Sequence, residues 1–367
     1  MKKLLIICIL IISIIFISGC ISEKPESVFE KENALPEEEW NRLFGGNSAD
    51  YADSVQQTLD GGYIVAGETF ENALLIKTDA NGIEQWNKTF IGSGGGAKSV
   101  QQTSDGGFIL IGGATATWLI KTDINGNQQW KKRFKCGSTF RGASIQKTSD
   151  GGYIIANECV TKTDINGNEQ WNKTFGSKWQ IIYYASSIQQ TSDGGYIVAG
   201  DTKFYNGDVA GVAWIIKTDS QGNEQWNRTL GRSGNYGSSS VQQTLDGGYV
   251  VGGYNGIRLI KTDVNGIEQW NRTFGGLASS VKQTSDDGYI VAGSSIMLVG
   301  AGLIKLDANG NEQWNMTFGK RSDKINSVQM TSDGGYILAG NNYSNRLSDA
   351  WLIKVSREPT EFERKRR

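Results

Sequence analysis

Three residue types recur at fixed spacing and could do chemistry. An aspartate opens a D-G-G-[YF] turn at Asp60, Asp105, Asp150, Asp193, Asp246 and Asp333, with Asp286 starting a D-D-G-Y variant. A second aspartate heads a D-x-[NQ]-G turn ahead of an [EQ]-Q-W segment, and a lysine recurs at Lys77, Lys121, Lys162, Lys217, Lys261, Lys305 and Lys354. Rings of carboxylates are the raw material of calcium sites and of glycoside-cleaving pairs, and a ring of lysines is that of an anion site. Ligand count decides against calcium, which needs about six to eight oxygens, whereas each D-x-N-G turn supplies one carboxylate and one amide before the chain reverses. No Asp/Glu pair stands out from this turn background as acid and nucleophile. Each lysine lies close to a hairpin returning through Glu or Gln, where cross-strand pairing is the ordinary use.

Composition removes further chemistry. There is no histidine, so His-based triads, His-ligated metals and His general bases are excluded. With 37 basic against 38 acidic residues the chain lacks the basic excess of a nucleic-acid binder. The reading is a non-enzyme with no catalytic residues, no cofactor and no metal.

The elements that position these residues are strands. In the first copy Ser54–Thr58 alternates, Asp60-Gly61-Gly62 turns the chain, and Tyr63–Ala66 returns. Leu74–Lys77 is a third strand, Asp79–Gly82 turns again, and Glu84–Phe90 is a fourth; Asp, Asn and Gly in these places give tight hairpins. Seven copies run from Trp40 to Ser356 at about 45 residues each, the period of a propeller blade. All three prolines lie near the chain ends, as interior strands require. The expected fold is all-β, a single seven-bladed β-propeller of four-stranded antiparallel blades over residues 39–356. The last copy lacks a fourth strand and the chain start has an orphan one, Glu39–Phe44, so the N-terminal strand completes the last blade. First strands carry polar pairs such as Gln56-Gln57, Gln101-Gln102, Gln189-Gln190 and Gln242-Gln243. One member of each should face a hydrated, nearly uncharged axial channel, with Lys147 or Lys282 as exceptions.

The D-x-N-G-x-x-x-W stretch resembles the tryptophan-docking motif of quinoprotein-type propellers, at Trp86, Trp130, Trp171, Trp226, Trp270 and Trp314, with Trp40 serving the closing blade. The resemblance implies that each tryptophan packs against the neighbouring blade. In the quinoprotein enzymes the cofactor sits beside adjacent cysteines; here Cys136 and Cys159 are 23 residues apart, so the resemblance extends to the scaffold. The D-G-G-Y companion is similar to that of repeat-containing surface proteins of archaea and bacteria. A quinoprotein-like or carbohydrate-active enzyme on this scaffold is the alternative reading.

Lys2 and Lys3 precede an apolar run, Leu4–Ile17, that ends in Ser18-Gly19-Cys20, the pattern of a secretory signal over residues 1–19. Its end resembles the lipobox of lipoproteins, which implies lipid on Cys20. Residues 20–38 read as the lipid attachment site and an acidic flexible tether, and residues 357–367 as a charged tail. The chain is thus expected to be an extracytoplasmic lipoprotein on the cell membrane or surface, binding an envelope or surface protein or a glycan.

Several residues follow from that setting. N-x-T sequons stand at Asn87, Asn172, Asn227, Asn271 and Asn315, with Asn342 a sixth acceptor pattern. An oxidising compartment makes a Cys136–Cys159 disulfide an expectation. Two connections per copy are nearly invariant and share one face; the other two vary and share the opposite face, where binding is commonly carried. The richest variable segment surrounds the fourth copy, with Trp179, Tyr183 and Tyr184 in the loop leading in, Phe204, Tyr205 and Asp208 in an insertion, and Tyr236 in the next loop. Aromatic rings beside amides and carboxylates suit a protein hot spot or sugar faces.

Overall fold

The computed structural model describes residues 35–46, 48–114, 116–135, 143–175, 181–204, 213–230, 238–253, 257–296, 300–344 and 347–359. Among these the chain forms 28 β-strands and no helix. In the first unit Asp50–Gln57, Tyr63–Thr69, Asn72–Thr78 and Glu84–Phe90 pair antiparallel in chain order. Four more sheets repeat this order, and an eight-stranded sheet holds two further sets of four joined by a single rung, Ser294 to Lys324. The last set is Lys324–Met330, Tyr336–Ser344 and Leu347–Val355, whose free edge takes Glu38–Phe44 from the chain start. Trp40 sits opposite Lys354 and Phe44 opposite Ala350.

The middle strands of each unit are buried on both faces, which is why they read as continuous apolar runs. Successive side chains point to opposite faces, so alternate residues serve different neighbours. Ile64 and Ala66 join the second unit's Phe108 and Leu110, while Tyr63 and Val65 join Ile337 and Ala339 of the last. Among the described residues seven such clusters occur, each drawing on two units, and the first and last units share one as the others do. The outermost strands bury one face only.

Both hairpins of a unit are fixed by aspartate. Asp79 Oδ1 accepts from the backbone N–H of Asn81 and Ile83 at 2.9 and 2.8 Å, and Gly82 closes the turn at φ +73°. That is side-chain mimicry of a backbone turn, with glycine where φ is positive.

Candidate functional site

The recurring lysines and D-G-G aspartates form ion pairs within each unit. Lys121 Nζ lies 2.8 Å from Asp105 Oδ2, 2.8 Å from the Thr122 carbonyl and 3.1 Å from Gln129 Oε1. The same aspartate pairing joins Lys77 to Asp60, Lys162 to Asp150, Lys217 to Asp193, Lys261 to Asp246, Lys305 to Asp286 and Lys354 to Asp333, at 2.7 to 2.9 Å. The returning glutamine is only part of this arrangement; in the last unit Glu39, 3.5 Å from Lys354, takes its place. Each lysine is buried while its aspartate is about half exposed. Burial pushes the Asp105 carboxyl up, but bonds from Lys121, Thr103 and the Gly107 N–H outweigh it and hold the group at about 2. The second glycine is dictated by the same lysine: a Cβ on Gly107 would lie 2.1 Å from the Thr122 oxygen and 2.7 Å from Lys121 Nζ. With its donors spent on turn acceptors, this ring of cations is bound up inside the scaffold.

The motif tryptophans lie at the joints between units. Trp40, Trp86, Trp171, Trp226, Trp270 and Trp314 meet an aromatic ring of the next unit edge-on, at 5.6 to 6.0 Å between centroids. Trp130 covers Gly167 of its neighbour, where a Cβ would approach to 2.6 Å. The turn glycine of D-x-N-G thus permits the turn and also leaves room for the preceding unit's indole.

First strands meet around an axial cavity of about 170 Å³. Gln101, Gln146, Gln189 and Gln329 line it together with Lys282 and a serine from most units; Lys147 does not. The second glutamines turn instead to their own hairpins, Gln102 Nε2 donating to the Gly106 carbonyl at 3.2 Å. Lys147 lines a separate cavity of about 210 Å³ beside Asp105 and Tyr153, between the second and third units. The lysine–aspartate pairing is a feature that strand reading alone did not yield, because it joins a third strand to the first turn of the same unit. Of the two exceptions expected in the channel, Lys282 lines it and Lys147 does not.

On the variable face the fourth unit rises far above the third. The third unit's middle strands are Tyr153–Ala156 and Val160–Thr163, whereas the fourth unit's first two are Ile181–Gln190 and Tyr196–Phe204. Tyr153 and Tyr196 start equivalent strands after equivalent turns, so the five extra residues of Tyr196–Phe204 all project on this face, about 16 Å. Tyr183, Tyr184 and Phe204, placed in loops by the sequence, are therefore strand residues: Tyr183 pairs with Thr202, Tyr184 with Asp201, and Phe204 with Ile181. Backbone pairing extended past the repeat because both segments were long enough to continue the ladder, a property that copy-to-copy alignment does not show. Trp179, Tyr205, Asp208 and Tyr236 lie outside the described residues, as do Cys20 and Cys136. Cys159, in the short third-unit turn, is buried and disulfide-bonded.

The sequon asparagines sit mostly on outer strands. Asn87 and Asn227 are exposed, while Asn271 and Asn315 are half-buried; each of the four donates to the glutamate three residues earlier. Asn172 turns inward to Thr161 Oγ1 at 3.1 Å, and Asn342 bonds Asp323 at 3.2 Å.

No family model matches the sequence, and no curated protein matches it. Among solved structures, BamB from Moraxella catarrhalis aligns at TM-score 0.53 and 14% identity, over 88% of this chain and 100% of that one. A protein of unknown function from Bacteroides caccae aligns at TM-score 0.47 and 13% identity, over 64% of this chain and 83% of that one. The fold is a β-propeller. At these identities the likeness concerns the scaffold, and activity must be argued from this chain's own surfaces.

Proposed function

We propose that this chain is a binding module: a seven-bladed propeller, closed by its N-terminal strand and anchored through lipid on Cys20 outside the cytoplasm, that docks an envelope or surface protein. Ring closure is supported by the pairing of Glu38–Phe44 with Leu347–Val355 and by the core shared between the first and last units. Binding rather than catalysis is supported by the fate of the recurring ionisable groups, which the turns consume.

The observation that carries the reading is the step between the short third unit and the tall fourth. A rigid hairpin beside a low neighbour makes a concave wall, and loops and edges on a rigid frame are where binding concentrates. Tyr183, Tyr184 and Phe204 belong to that wall, Trp179, Tyr205 and Asp208 adjoin it in sequence, and Tyr236 leads into the next unit's first strand. Cys136 is the proposed partner of Cys159, which would tie the loop after the second unit to the low side of the step. The exposed Asn87 and Asn227 are the sequons proposed to carry glycan, since an acceptor must be reachable.

The test is capture from solubilised membranes with wild-type protein and a Trp179→Ala/Tyr205→Ala variant, with a glycan array in parallel. Loss of a captured protein at unchanged melting temperature supports the reading. Loss of several kcal/mol of stability with capture intact would place these rings in the core. Binding on the array alone would move the ligand class from protein to sugar.

A further inference from the structure

The axial cavity is unusual in its balance of donors and acceptors. Ser54, Ser99, Ser187 and Ser327 line it, and each accepts a backbone N–H from the next unit: Val100, Ile145, Val241 and Val55, at 3.1 to 3.5 Å. A hydroxyl that has accepted retains its own proton, and none of these four donates to a protein acceptor among the described residues. The glutamines behave alike. Gln101, Gln146 and Gln189 accept the N–H of Lys147, Gln190 and Gln243 through Oε1, which leaves each Nε2 free to donate. The lining contains no carboxylate among the described residues.

Lys282 stands where the other six units have glutamine, at positions 56, 101, 146, 189, 242 and 329. A lysine cannot accept, so this unit cannot pass the inter-unit bond that Gln242 makes to the Gln283 N–H at 2.8 Å. The exchange gives up an acceptor and places an ammonium in a narrow cavity. Among the described residues Lys282 has no hydrogen bond and no ion pair, unlike the seven strand-three lysines. Burial pushes its ammonium below the ordinary lysine range. A half-buried cation that shares its cavity with unused O–H and N–H donors is complementary to negative charge bearing several acceptor oxygens.

We propose that the axial cavity is a binding site for a small oxyanion, held by the Lys282 ammonium and by the free protons of the surrounding serines and glutamines. A volume of about 170 Å³ admits an ion of the size of phosphate or sulfate. The site lies on the axis, apart from the step on the variable face, so it stands or falls independently of the docking function.

Equilibrium dialysis of the full chain with radiolabelled sulfate and phosphate, at constant ionic strength in chloride, tests it. Wild type should bind one oxyanion per chain saturably, Lys282→Arg should retain binding, and Lys282→Gln should weaken it at least tenfold. Lys282→Gln installs the residue the other six units use, so its unfolding midpoint in chloride should equal or exceed that of wild type. Thermal unfolding of wild type gives a second readout: phosphate should raise the midpoint where equal-ionic-strength chloride does not. Absence of saturable binding by wild type, or equal binding by Lys282→Gln, would overturn the proposal.

Discussion

Replacing Trp40 by alanine tests whether the chain start completes the ring. Trp40 lies on the N-terminal strand paired with the last unit, yet its ring meets Tyr63 of the first unit, 5.8 Å away and edge-on. Arg42 lies 5.4 Å above the same ring, and Gly82 has no room for a Cβ beneath it. The indole is half-buried, so its loss forfeits about half of the ~3–5 kcal/mol of a fully buried tryptophan, roughly 2 kcal/mol. The aromatic pair adds about 1 kcal/mol, for a total near 3 kcal/mol. Trp226 is the internal standard: its ring sits 5.7 Å from Tyr249 with Arg228 at 5.4 Å, in a joint between the fourth and fifth units. Urea unfolding followed by far-UV circular dichroism should give Trp40→Ala and Trp226→Ala the same cost to within about 1 kcal/mol. A Trp40→Ala variant as stable as wild type, beside a destabilised Trp226→Ala, would refute closure through this strand.

Gly107→Ala should cost about 3 kcal/mol in the same assay, because the new methyl collides with the Thr122 carbonyl and displaces Lys121 from Asp105; a neutral result would mean the turn can shift. Acid should weaken the protein through the turn aspartates. Asp105, Asp150 and Asp333 are held at about 2 when folded against an ordinary 3.8, so the unfolded chain takes up protons first. Their contribution is complete above about pH 5 and is lost as pH falls toward 2. Urea midpoints that stay level from pH 4 to pH 2 would contradict it.

Much of this protein is legible in its sequence because it repeats a unit whose bonds are local. Asp79, Asn81 and Gly82 fix their hairpin with bonds that span four residues at most, and a glycine forced to φ +73° can be read from residue type alone. The unpaired strand at the chain start and the missing one at its end were likewise countable, and the two pair as counted. Bonds between distant residues were not. Lys121 and Asp105 are 16 residues apart, and only the folded sheet brings the ammonium under the turn. The hairpin of Ile181–Gln190 and Tyr196–Phe204 outgrew its repeat because strand ends are set by how long two segments can keep pairing, not by where copies cease to match. Lys282 is legible in sequence as one of two charged exceptions among the channel-facing positions, but not as a lysine without a partner. That comes from the tertiary arrangement: first strands meet around one cavity, and their bonds spend acceptors on backbone N–H groups while donors and an ammonium without a partner share the same lining.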